Sequence, residues 1–189
     1  MGNAMSNKIK IWMENHGSIT LSQCNNMFYS GDRVGYLKSS RKLQDMYKKG
    51  LFKRYQKSNL AEVQYYAQDI MKPHNLKLLD LASEFVKNGC EIVNFYKEYH
   101  IKTDEGEYIA DGVFKIKKNN KLKLFIVEID FTSPTKDPKI DNLTHMLSLN
   151  DIACSILIVK LRCKKISHKL INYITVYDLP WSLNNKLPL

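Results

Sequence analysis

The spacing of apolar residues changes at Asn88-Gly89, and no single regular architecture accommodates both sides of that change. Before it, apolar side chains recur every three or four residues, as on helices. After it, they alternate or run continuously in stretches of five to ten residues, as in strands. A chain of 189 residues with two such grammars fits one small and one medium domain. Its apolar share of 44% is enough for packed cores and argues against a disordered chain.

The N-terminal part predicts three helices and a hairpin. Ile9, Trp12 and Met13 have helical spacing over residues 8–15, and Gly17 ends that segment. Thr20 with Gln23 three residues on reads as a capping box, opening a short helix to about Met27. YSGDR is a turn. A longer helix is expected from Arg33 to Lys49, with Gly50 just past its end. Its apolar side is read as Tyr36, Leu43 and Tyr47, flanked by Leu37 and Met46. LFKRYQ and EVQYYAQ alternate and are joined by KSNLA, which predicts a β-hairpin. Residues 1–6 are expected to be a disordered start or cloning scar, with Met5 as the natural first residue, although Gly2 and Ser6 have myristoylation spacing.

Three helices followed by a hairpin is the order of a winged helix-turn-helix, expected over residues 7–68. The charge distribution points the same way. The net charge is +10; residues 1–72 hold 12 Lys and Arg against 5 Asp and Glu, while residues 73–189 hold 17 against 14. Lysine enrichment from an AT-rich genome would spread more evenly, so the N-terminal excess suggests a polyanionic partner there, double-stranded DNA. Arg33, Lys38, Ser39, Ser40, Arg41 and Lys42 occupy the early part of the third helix, where groove contacts are expected. Lys53, Arg54 and Lys57 lie on the hairpin, where phosphates would run.

QDIMKPH, residues 68–74, reads as a linker, and residues 74–189 as the second domain. Leu78, Leu81, Ala82 and Phe85 form one helical face over residues 75–87. Three strands follow: CEIVNFYKEYHIK, EYIADGVFKIKK and KLKLFIVEIDF. Then come a helix over 139–149, a strand over 153–161, a helix in HKLINYI and a last strand in TVYDL. The order α-β-β-β-α-β predicts an α/β sandwich on a mixed sheet, so the whole chain combines an α+β and an α/β unit.

Glu128 and Asp130 stand two apart in an apolar strand and therefore project to one face. Two like charges there need an offset. One arrangement is a magnesium or manganese ion held by Asp111, Glu128 and Asp130, with Glu98 or Glu84 joining. The other is pairing with Lys123, Lys136 or Lys139, or exposure at a strand end.

Several of these motifs together resemble the restriction-endonuclease-like PD-(D/E)xK superfamily, and more closely the replication-relaxation family of plasmid and mobile-element proteins. The motifs are His74 opening the core helix, Glu98 on the first strand, Ala110-Asp111-Gly112 on the second, Glu128-x-Asp130 with Thr132 or Ser133 on the third, and Lys139 at the next helix. The resemblance spans nearly the whole chain. It departs at Ala110, where the family usually has Pro, and at Asp130, where active nucleases of the superfamily carry Lys. It implies a DNA-binding accessory protein acting at a replication or transfer origin, with a nuclease-like core that does not cut and needs no cofactor. It leaves two alternatives: a magnesium- or manganese-dependent nuclease using Asp111, Glu128, Asp130 and Lys139, and a winged-helix transcription regulator. Homodimerisation and contacts with replication or transfer proteins belong to the same expectation.

The four cysteines, Cys24, Cys90, Cys154 and Cys163, make no CxxC pair and read as free thiols of a cytoplasmic protein. No apolar run approaches the roughly 20 residues of a membrane-spanning helix, and no membrane partner is expected.

Overall fold

The computed structural model describes residues 2–104, 106–130, 137–149, 154–160 and 173–177. It is a mixed α/β protein of two compact units, Met1–Asn88 and Gly89–Leu189. No helix among the described residues is long and apolar enough to cross a membrane.

The first unit runs α1 (Gly2–His16), β1 (Ser18–Thr20), α2 (Leu21–Phe28), α3 (Gly35–Lys48), β2 (Lys53–Tyr55), β3 (Gln64–Tyr66) and α4 (Pro73–Lys87). Its strands form an antiparallel sheet in the order β1-β3-β2. The capping box is present: Gln23 N–H donates to Thr20 Oγ1 at 3.3 Å, and Thr20 N–H to Gln23 Oε1 at 3.0 Å. This satisfies two donors that the first turn of α2 leaves without intrahelical acceptors. Ile9, Met13, Ile19, Leu43 and Met46 make the core, each at most 1% exposed.

Four expectations are corrected here. The N-terminal residues do not form a loose start: α1 begins at Gly2, and Ser6 Oγ accepts from Lys42 Nζ at 3.3 Å. The buried side of α3 is Gly35, Ser39, Leu43 and Met46, whereas Tyr36, Leu37 and Tyr47 face outward. β1, three buried residues between Gly17 and α2, has no counterpart in the sequence reading. The helix expected to open the second domain belongs with the first unit, because α4 packs on α2. Polar groups join that pair: Gln23 Nε2 donates to Asp80 Oδ1 at 2.7 Å, and Asn26 Nδ2 to Glu84 Oε1 at 2.9 Å. His74 and Glu84 therefore lie in the first unit.

Gly35 marks the closest approach of α3 to the preceding turn. A Cβ there would lie 2.6 Å from the Tyr29 carbonyl oxygen and 2.7 Å from Asn25 Oδ1. Backbone cannot yield as a side-chain tip can, so Gly35→Ala should lower stability by about 1–3 kcal/mol, measurable by urea unfolding.

The second unit holds β4 (Glu91–Thr103), β5 (Gly106–Lys118), β6 (Lys121–Asp130), α5 (Asp137–Leu149), β7 (Ser155–Lys160) and β8 (Tyr173–Tyr177). The sheet is mixed, in the order β4-β5-β6-β7-β8. β4, β5 and β6 form an antiparallel meander; β7 and β8 run parallel to β6. Asn119 and Asn120, both at positive φ, make the tight β5–β6 turn that hairpin twist favours. After β6 the crossover through α5 gives the parallel β7. Ile140, Leu143, Met146 and Leu147 of α5 pack on Tyr108, Ala110, Val113, Ile126, Ile156 and Ile158 of the sheet. On the opposite face of β6 and β7, Phe125, Val127, Leu157 and Val159 are also buried. A strand covers Tyr173–Tyr177, where the sequence reading had put the end of a helix followed by a strand. The rest of that helix, and Cys163, lie outside the described residues. Cys24, Cys90 and Cys154 are free thiols.

Candidate functional site

Two places combine chemistry-bearing residues. The first is the outer surface of α3 with the β2–β3 hairpin. Burying Leu43 and Met46 turns Tyr36, Leu37, Arg41, Tyr47 and Lys48 of α3 to solvent; Arg33, expected in this helix, is exposed in the turn before it. Lys53, Arg54 and Lys57 are exposed on the hairpin. The Arg54 guanidinium lies over the Tyr47 ring, 5.6 Å from its centroid, which links helix and hairpin. A shallow depression lies between them, lined by Tyr47, Lys48, Lys53, Arg54 and Tyr66 among others.

Not every residue expected on this surface is there. Ser39 is fully buried against Cys24, whose thiol burial pushes up to about 12. Ser40 is half-buried. Lys42 is half-buried and turned toward Ser6 of α1. Lys38 is exposed but ion-paired with Asp32 at 2.6 Å, and that lysine's hydrogen bond holds the Asp32 carboxyl below its ordinary range. Lys49 likewise pairs with Asp45, at 2.9 Å. Arg33, Arg41, Lys53, Arg54 and Lys57 remain as the exposed cations of the expected set.

The second place is the carboxylate group of the second unit. Glu128 and Asp130 project to one face of β6, as their spacing predicts, and are 2% and 1% exposed. Both oxygens of Glu128 have donors. Tyr108 Oη donates to Oε1 at 2.8 Å, and Lys139 Nζ to Oε2 at 2.6 Å. Lys139, in the first turn of α5, also lies 4.9 Å from the centre of the Tyr108 ring. Burial raises the Glu128 carboxyl above its ordinary value, the Asp111 charge adds to this, and Lys139 and Tyr108 oppose it. Burial likewise pushes the Tyr108 phenol up, with Glu128 reinforcing the shift.

Asp111 Oδ2 accepts from the Ile129 backbone N–H at 2.7 Å. The β5–β6 ladder ends at Gly112↔Val127, so this carboxylate takes a donor just beyond its end. Glu98 is exposed on β4 with a positive φ of 50°. It stands between Lys97↔Gly112 and Tyr99↔Ala110, level with Asp111.

A divalent cation does not fit this arrangement. Among the described residues no group of three or more His, Cys, Asp and Glu side chains is placed to hold a metal. Both Glu128 oxygens face protons of Tyr108 and Lys139, and Asp111 spends an oxygen on the backbone. The expected set of Asp111, Glu128, Asp130 and Glu98 is therefore not assembled as ligands. The alternative offset, Lys139, is the one present. Tyr108 was missed; its signal was a phenol three residues before Asp111 in the same strand, a polar group needing a buried partner.

No protein-family model matches this chain, and no curated protein matches it significantly in sequence.

Proposed function

We propose that the first unit is a winged helix-turn-helix that binds duplex DNA, and that the chain is a DNA-binding accessory protein of a plasmid or related mobile element. On this reading α3 enters the major groove and the β2–β3 hairpin follows the backbone. The observation that carries it is the exposed cation set Arg33, Arg41, Lys53, Arg54 and Lys57 across α3 and the hairpin. The order α-β-α-α-β-β with a three-stranded antiparallel sheet supports the fold assignment. Arg41, Lys53, Arg54 and Lys57 suit phosphates.

The second unit, on the same reading, is a restriction-endonuclease-like scaffold that does not cut. Its antiparallel meander, crossover helix and parallel strand support the first half of that statement. The pairing of Glu128 with Lys139 supports the second. Purified protein should leave supercoiled plasmid intact in magnesium or manganese, and nicking lost in Glu128→Ala would replace this reading with the nuclease one.

The DNA assignment is tested with Arg41→Ala/Arg54→Ala in fluorescence anisotropy on duplex DNA. The double variant should bind at least about tenfold more weakly. Unchanged affinity would remove α3 and the hairpin as the reading surface. Sequencing the fragments retained from plasmid and chromosome separates the biological settings. Enrichment at a replication or transfer origin fits the proposal, and enrichment at promoters favours a transcription regulator.

A further inference from the structure

On the α5 side of the second unit a cleft of about 370 Å³ opens beside the edge strand β4. Strict alternation would not build it. Tyr96 is paired with Val113 and Tyr99 with Ala110, and Val113 and Ala110 both face the α5 core, so an even and an odd position of β4 lie on one face. The switch occurs at Glu98, whose positive φ interrupts the extended backbone. β5 switches at the same level: Tyr108 and Ala110 face the α5 core from even positions, Val113 from an odd one. The register is equal on both sides of this paired break, with Lys97↔Gly112 before it and Tyr99↔Ala110 after it. Two strands thus change faces together without slipping. Irregularities of this kind commonly re-aim side chains next to binding sites.

The result is two tyrosines on one surface. Tyr96 and Tyr99 have ring centroids 5.4 Å apart and remain 48% and 41% exposed. Beneath them Val113, Leu124, Ile126 and Leu147 form an apolar floor. The polar lining comprises Asn94, His100, Lys102 and Lys115, with no carboxylate. Glu107 pairs with His100 and lies 3.9 Å from Lys102. The cleft therefore offers flat π-faces over an apolar floor with the Lys115 cation at its margin. That is the chemistry of a base on a phosphate.

We propose that this cleft binds single-stranded nucleic acid, with one base stacked on Tyr96 or Tyr99 and an adjoining phosphate near Lys115. Bases within a duplex keep their faces stacked on each other, so the site takes an unpaired strand. The inference is independent of duplex binding by the first unit and involves none of its residues.

The test uses the full chain and a deoxythymidine decamer carrying 5-bromodeoxyuridine, irradiated and mapped by mass spectrometry. Cross-links are expected in peptides containing Tyr96 or Tyr99. Tyr96→Ala/Tyr99→Ala should weaken binding of the decamer by about tenfold or more, while Tyr96→Phe/Tyr99→Phe, which keeps the rings, stays within about twofold of the parent. Duplex affinity should be the same in all three proteins. The proposal is overturned if cross-links fall only within residues 33–57 or if the alanine variant keeps its affinity. It is also overturned if the phenylalanine variant is as weak as the alanine one, or if thymidine monophosphate binds as tightly as the decamer.

Discussion

Lys139→Met should destabilise the second unit by roughly 2–3 kcal/mol at pH 7, whereas Glu128→Gln should cost no more than about 1 kcal/mol. The two substitutions differ in what they leave behind. Methionine fills the space of the lysine stem but leaves Glu128 charged and only 2% exposed, with Tyr108 as its remaining donor. Glutamine removes the buried charge and keeps an oxygen for Tyr108. Lys139, with 42% of its side chain exposed, can then turn to water. That partial exposure also places the methionine cost below the upper range for a fully buried pair. Hydrogen exchange at β6 and α5 amides in low urea assigns the loss to this unit. Equal costs for the two variants would mean that packing, not charge, holds the site.

The pH dependence follows from the direction of the Glu128 shift. Its folded-state pKa is raised above the ordinary 4.5, mainly by burial and next by Asp111. A raised carboxyl binds its proton more tightly in the folded chain. Its contribution to stability is therefore fully present below the ordinary value and is lost as pH rises through the raised one. Removing Lys139 removes a group that opposes this rise. The stability gap between Lys139→Met and the parent should accordingly be widest at neutral pH and narrow on acidification toward pH 4.5. A gap that stays constant would show Glu128 to be neutral already in the parent protein.

Local chemistry was legible in the sequence, and long-range partnership was not. The Thr20/Gln23 cap could be read because both partners lie within one turn. So could the common face of Glu128 and Asp130, which strand parity alone decides. The buried face of α3 was misread because Tyr36 and Tyr47 compete with Ser39 and Met46 for the same helical period. The wrap around Cys24 and the close approach at Gly35 decide between them, and neither is a property of the helix itself. Ser39 is buried for the same reason, although its size and place in the helix suit a surface position. α4 shows one apolar face in sequence, but its tie to α2 runs through Gln23–Asp80 and Asn26–Glu84, pairs more than fifty residues apart. The paired break at Glu98 and Asp111 left no trace in residue type: neither is a glycine, and the flip appears only when both strands are laid side by side.

Duplex binding should depend steeply on salt, and the slope counts the cations that meet phosphates. If Arg33, Arg41, Lys53, Arg54 and Lys57 each neutralise one phosphate, log affinity should fall with log salt at a slope of about −4.5. Between 50 and 200 mM salt this amounts to a loss of roughly 500-fold. Lys38 and Lys49 are left out of the count because they are paired with Asp32 and Asp45. Counting all nine lysines and arginines of residues 33–57 would predict a slope of about −8. The Arg41→Ala/Arg54→Ala variant should flatten the slope to about −2.7, so that its deficit is large at 50 mM and shrinks at 200 mM. Tyr36 and Leu37 are exposed and uncharged, so a contribution from them to duplex binding would be insensitive to salt. Tyr36→Ala/Leu37→Ala should therefore lower affinity by a similar factor at both salt concentrations and leave the slope unchanged. A shallow slope in the parent protein, abolished by neither variant, would instead mark this surface as a docking face for another protein.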